Sequence, residues 1–201
     1  IVDTQGNQLP YISEQDEVYK NDNELRILTL VNGEADYKAQ SLQLSSAPML
    51  LEGQEKGNYK IFLKPEITLS NVSFNVTHPD LGKRQVFGDL RFRKAMSVAI
   101  NREEINEVAL FGLGSPKQYT GFSPMPDFID KKWESYMIQY DPAMANRLLD
   151  QIGMVDRDGD GSRELPNGKK IVINMQFSTQ GIDPQIVEMV GQNWAEVGIK
   201  T

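Results

Sequence analysis

Asp89-Leu90-Arg91-Phe92-Arg93-Lys94-Ala95-Met96-Ser97-Val98-Ala99-Ile100-Asn101-Arg102-Glu103-Glu104-Ile105 decides how the chain folds. Phe92, Ala95, Met96 and Ala99 fall at i, i+3, i+4 and i+7, the spacing that lines one side of a helix with apolar groups. Asp89 stands where an N-cap belongs, so the pattern predicts a helix from there to Asn101. Asn101 then opens a second helix as a capping box with Glu104, and Ile100 and Ile105 occupy the positions of a hydrophobic staple. The two helices are expected to meet at a fixed corner. Gly112 and Gly114 stop the second one. Gly112-Leu113-Gly114 is no phosphate-binding turn, because it follows a helix and the third glycine and basic residue of that fingerprint are misplaced.

Downstream of the corner, residues 115–140 form a proline-marked loop, long for a compact domain and so a candidate functional segment. Asp141 and Pro142 supply an N-cap and a first-turn proline to a helix whose stripe is Ala145, Leu148, Leu149 and Ile152, closed by Gly153. Ile171, Ile173, Met175 and Phe177 then alternate with polar residues as a strand does. Asp183 and Pro184 start another helix, with Ile186, Val187, Val190, Trp194 and Val197 inward, and Ile199 begins a further strand. Strand, helix, strand is a βαβ unit, which places the loop from Ser178 to Ile182 at a strand's carboxyl end, where open α/β sheets bind ligands.

Upstream, Asn23 is expected to cap a helix through Leu25, Leu28 and Leu30 that stops at Gly33. Ser46 opens another over Met49, Leu50 and Leu51, with a short strand near Asp36 and Tyr37 between them. Tyr59, Ile61 and Leu63, and then Val72, Phe74 and Val76, alternate with their neighbours, predicting two strands of one sheet. The fold class expected is α/β, a mixed sheet flanked by helices.

The formal charge is -7, and no Lys and Arg cluster is present, which argues against a nucleic-acid surface. There are no cysteines, which removes disulfides and thiolate metal sites. No apolar run approaches the roughly 20 residues a spanning helix needs. The chain opens at Ile1 with no leader and stops at Thr201 just inside a strand, so an internal segment of a longer protein is expected.

Asp156, Asp158, Asp160 and Gly161, with Glu164 beyond, match the first half of a calcium-binding loop of the EF-hand type. The twelfth position holds Asn167 in place of a bidentate Glu, and a strand follows in place of the exiting helix. A solvated acidic turn, with Gly159 and Gly161 supplying positive φ, is the other reading. His78 is the only histidine, so no Ser-His-Asp relay has a spare base and no two-histidine metal site can form. Paired acids for glycoside hydrolysis cannot be picked out of the many carboxylates without geometry. Tyr119, Phe122, Met125, Phe128, Trp133 and Tyr136 in the long loop are either pocket lining or anchors of the loop on the body.

The ordered set of segments resembles a known family. Asp89 to Ala95, Ala99 to Ile105, and Gly112-Leu113-Gly114 are similar to the signature helix pair of the family 5 extracellular solute-binding proteins, the dipeptide and oligopeptide binders. Gly33-Glu34-Ala35-Asp36, Tyr140-Asp141-Pro142, Asp158-Gly159-Asp160-Gly161 and Val197-Gly198-Ile199-Lys200 agree in the same order. The resemblance implies a type II periplasmic-binding fold, with residues 1–201 a single α/β piece of a larger two-lobed protein. Residues 1–66 would be proximal to the hinge and 67–201 the lobe body. It implies a non-enzyme: the extracytoplasmic binding component of an ABC importer, working with a membrane permease and capturing peptides or, alternatively, oligosaccharides. The piece itself is expected to be monomeric. Phe74, Asn75, Phe122 and Met125 are the implied ligand-lining residues, and the βα loop adds Ser178. No cofactor is expected, unless calcium occupies Asp156, Asp158, Asp160 and Glu164. A calcium-stabilised interaction module is the alternative function.

Overall fold

The computed structural model describes residues 1–38, 42–63, 71–118, 125–178 and 182–201. The chain divides into two compact units, Ile1–Phe62 and Leu63–Thr201.

In the first unit, α1 (Asn23–Val31) is followed by α2 (Ala47–Glu52) and α3 (Gln54–Gly57). Asp22, one residue before the expected Asn23, is the N-cap of α1, accepting from the Leu25 N–H. The buried face is Ile27 and Leu30, whereas Leu25 and Leu28 are about half exposed. The leucine spacing is thus helical, but the stripe that packs is rotated from it. Ile27, Leu30 and Leu50 make the core, with Val31, Tyr59 and Ile61 against it. Gly33 has φ +71°, and a Cβ there would stand 2.8 Å from the Gly57 carbonyl oxygen, so glycine is required for both conformation and closeness. Ser46 makes no side-chain cap, and Pro48 in the first turn opens α2 instead.

The second unit holds α4 (Leu81–Gly88), α5 (Leu90–Val98), α6 (Arg102–Leu110), α7 (Pro142–Gln151) and α8 (Pro184–Glu196). Helix α4 was not legible in the periodicity, since only Val86 and Phe87 turn inward. Its signal was Asp80, which caps it by accepting from the Lys83 N–H at 2.9 Å. Asp89 ends α4 and caps α5 at once, accepting from the Arg91 N–H. Helix α5 packs on α7 and α4, and α6 on α8. Phe92, Ala95, Met96 and Ala99 are buried as the stripe predicts, together with Leu149, Met154, Trp194 and Ile199. The Trp194 indole donates to the Met96 carbonyl at 3.0 Å, which satisfies its polar edge inside the core.

The Asn101 corner forms, with one change from a standard capping box. The Asn101 side chain accepts from the Glu104 N–H. Its amide reaches the Glu104 carboxylate at 3.0 Å, while its backbone N–H donates to Asn193 Oδ1 of α8 at 2.9 Å. The corner is thereby tied to a helix far along the chain.

The expected sheet is not seen among the described residues, which show only isolated bridges: Val2 with Gln8, Glu164 with Lys170, and Val172 with Lys200 in parallel. Alternation fixes which face a segment buries, but a ladder also needs an aligned neighbour over several residues. Ile171 and Ile173 are buried and Val172 exposed, as a pleat requires. Their neighbour is one residue deep: Ile173 donates to the Lys200 carbonyl at 2.9 Å and the pairing ends there. Of the 72–76 segment only Phe74 packs inward, Val72 and Val76 being exposed. At Ile61 the N–H is taken by the Gln54 side chain and not by a ladder. Tyr37, expected near a strand, is exposed and in coil.

Candidate functional site

Phe74 sits among aromatic rings, 5.1 Å from Phe92, 5.4 Å from Phe87 and 5.7 Å from Trp194, the last stacked. Most of its ring is therefore committed to the core, and it supports the segment it belongs to. Asn75, next to it, is exposed and closes a tight turn, its Oδ1 accepting from the Thr77 N–H at 3.0 Å and the Thr77 hydroxyl at 2.9 Å. The turn continues into His78, whose Nδ1 accepts from the Asp80 N–H and whose ring meets Phe87 edge-on. His78 thus serves the start of α4. Met125 is half-buried and Ser178 exposed, the Ser178 carbonyl accepting from the Ile182 N–H at the entrance to α8. Phe122 and Tyr119 lie outside the described residues.

The long loop is anchored at both described arms. Gln118 donates from its N–H to the Glu134 carbonyl at 2.7 Å and from its side chain to the Tyr136 carbonyl at 2.9 Å. Trp133 and Tyr136 contact each other edge-to-face, and Lys94 lies over the Tyr136 ring. Beyond it, Tyr140 donates its hydroxyl to Glu196 at 2.7 Å, a bond to a carboxylate that pushes the phenol up to about 12.

In the acidic loop, Asp156, Asp158 and Glu164 bring carboxylate oxygens within 4.8 Å of one another. Asp160, the fourth residue of the expected set, is turned to Lys170 at 2.7 Å and accepts from the Ser162 N–H. Each of the other three carboxylates also has internal partners. Asp156 accepts from the Gly159 and Gly161 N–H groups. Asp158 meets the same Lys170 ammonium at 2.8 Å, and buried Glu164 accepts from the Arg157 N–H at 2.8 Å. Lys170 holds both Asp158 and Asp160 below the usual carboxylate range, and they raise its own pKa. The spacing of the acidic residues gives no sign of Lys170, because the cation lies on the next segment and meets them only through the turn. Nor does that spacing single out Arg163, which donates to Asn146, Asp150, and the Met154 and Val197 carbonyls. No helix among the described residues is long and apolar enough to cross a membrane.

Residues 6–201 match the model of the family described as Bacterial extracellular solute-binding proteins, family 5 Middle. A probable ABC transporter-binding protein of Deinococcus radiodurans is 28% identical over 63% of this chain and 21% of its own. The glutathione-binding protein GsiB of Pectobacterium atrosepticum is 26% identical over 89% of this chain and 30% of its own. Among solved structures, the oligopeptide-binding protein OppA superposes with a TM-score of 0.66 at 33% identity, covering 99% of this chain and 32% of that one. A mannohexaose-bound periplasmic oligopeptide-binding protein of Thermotoga maritima gives 0.64 at 25% identity, over 89% and 33%. The chain thus spans a third or less of the length of each of these relatives. These likenesses put it in the class of bacterial solute-binding proteins. It belongs to the family of extracellular solute-binding proteins, family 5.

Proposed function

We propose that this chain is part of the extracytoplasmic binding component of an ABC importer, which captures peptides between two closing lobes and delivers them to a membrane permease. No bond is made or broken in that cycle. The observation that carries the reading is the family match over residues 6–201, joined to a fold shared with OppA along 99% of the chain. A ligand that touches both lobes stabilises the closed form by its differential affinity, and that is all the chemistry the function needs.

Asn75, Met125, Ser178 and Phe122 are the side chains we assign to the ligand, with Phe74 supporting Asn75 from the core side. We assign Ile171 to Phe177 to a strand of the mixed sheet in the longer protein, since Ile171 and Ile173 bury on one face and Val172 already pairs with Lys200. The acidic loop is read as a structural tie in which Lys170 supplies the cation.

The test is to purify the longest natural chain carrying this segment, release what it retains by denaturation, and identify it by mass spectrometry. Retained peptides support the reading. Retained oligosaccharides would move the ligand class toward the one bound by the Thermotoga maritima relative. Conversion of an added tripeptide or glycoside to products would overturn it. The present chain alone should bind tripeptides more weakly than about 1 mM in calorimetry, because it supplies one side of the cleft.

A further inference from the structure

Arg102 opens α6 half-buried and, among the described residues, takes no carboxylate partner. Burial lowers its pKa, and carbonyl groups compensate. Nη1 donates to the Ser97 carbonyl at 2.7 Å and the Ile138 carbonyl at 3.3 Å, and Nη2 donates to Ser97 Oγ at 2.9 Å. The Ser97 hydroxyl passes the polarisation on, donating to the Met137 carbonyl at 2.7 Å. Met137 has φ +56°, a left-handed conformation that a side chain other than glycine holds only when its surroundings impose it. Four residues further on, the Asp141 N–H donates to the Val98 carbonyl at 2.8 Å, so the segment is fixed on both sides of this reversal.

These bonds do more than stabilise a corner. The arm they hold, residues 134–138, is the arm onto which Gln118 folds the other end of the long loop, with Lys117 adding an ion pair to Glu134 at 3.1 Å. A direct bonded path therefore runs from α5 and α6, through Ser97 and Arg102, to both described arms of the loop that carries Met125. A guanidinium suits this task because its planar fork reaches several carbonyls at once, which an ammonium cannot do with the same geometry.

We propose that Ser97 and Arg102 are positioning residues for ligand capture: without touching the ligand, they set the course of residues 125–138 and so the place of Met125. This rests on the peptide-binding reading above. It predicts that affinity depends on a polar pair buried at a helix corner, because a loop already in its bound course loses less freedom on binding.

The experiment uses the longest natural chain carrying this segment, with Arg102→Met, Arg102→Lys and Ser97→Ala. A random tripeptide library is the probe, with retention read by mass spectrometry. Acrylamide quenching reads the loop, since Trp133 is 48% exposed and Trp194 only 1%. Arg102→Met should lower tripeptide affinity about tenfold and roughly double the quenching of Trp133, while the chain stays folded. Arg102→Lys should recover part of both effects. Wild-type retention in folded Arg102→Met overturns the proposal, and so does a change in quenching without loss of retention, since the pair would then be scaffolding alone. If Arg102→Met does not fold, Ser97→Ala decides the matter, with about a threefold loss expected and no loss overturning it. Failure of the wild-type chain to retain any tripeptide defeats the peptide reading instead. That outcome is distinguished by quenching, which still responds to Arg102→Met.

Discussion

Among the described residues of Ile1–Phe62, the apolar side chains closed off from water are Ile27, Leu30, Ala47 and Leu50, and the helices around them are short. In Leu63–Thr201, four aromatic rings interlock at the centre, with Trp194 and Phe92 exposed by 1% and 0%. Buried polar groups there are tied across the chain by Asn193, Arg102 and Arg163. The contrast teaches that the second unit closes a large aromatic centre with buried polar ties, whereas the order of the first rests on a small apolar cluster. Both tryptophans, Trp133 and Trp194, belong to the second unit, so tryptophan emission follows that unit alone.

The comparison can be broken most forcefully at Trp194. Trp194→Ala removes the largest fully buried side chain and its bond to the Met96 carbonyl, and should cost about 3–5 kcal/mol in urea unfolding followed by tryptophan 133 emission and far-ultraviolet dichroism. A loss under about 1 kcal/mol would mean that the aromatic centre is not what holds the unit. Leu50→Ala should cost about 2–3 kcal/mol, confined to the first unit. Far-ultraviolet dichroism should then lose signal at a lower urea concentration than tryptophan emission, and coincident transitions would show that the two units unfold as one. Asp141→Ala, which removes the acceptor of the Met144 N–H at 2.7 Å, should cost about 1 kcal/mol in the second unit.

Smaller effects lie at the extremes of pH. The Tyr140 phenol is raised, so its bond to Glu196 stabilises fully below its ordinary value near 10 and is lost as pH rises toward about 12. Tyr140→Phe should flatten that alkaline slope in thermal melts. Asp158 and Asp160 are shifted the other way. Their contribution is complete above the ordinary carboxylate value near ~3.9 and is lost as pH falls through their lowered values. Lys170→Met should remove this part of the acid slope and lower the melting temperature at neutral pH by the same small amount, since the groups are solvent-exposed and the variant and wild type converge in acid.

Much of the second unit was legible beforehand, because its helices carry their signals locally. Asp89, Asn101, Asp141 and Asp183 each accept an N–H from the first turn that follows, and the stripes behind them turn inward, with Leu148, Ile152 and Val187 only half-buried. Helix α4 escaped because eight residues with two buried positions give no period to read. The described residues do not confirm the sheet: alternation reports the faces of a segment and says nothing about who stands beside it, and of the strands expected around α8 only Val172 and Lys200 meet among the described residues. The same limit applies to the candidate site. Phe74 alternates as a strand residue and gives no hint that three other rings surround it. The carboxylates of the acidic loop were visible by their spacing, but their satisfaction by Lys170 and Arg157 depends on a turn that only three dimensions reveal. Arg102 was readable as part of a family motif, and its carbonyl partners at Ile138 and Ser97 were not.

Arg163 imposes an order of assembly. Its side chain joins Asn146 and Asp150 at the end of α7 to the Val197 carbonyl at the end of α8, and its own N–H donates to the Gly198 carbonyl. During synthesis α7 emerges long before α8, so the guanidinium must wait, hydrated, until its last acceptors leave the ribosome. The closing of that fork therefore cannot precede the emergence of α8 and is a late event in biogenesis.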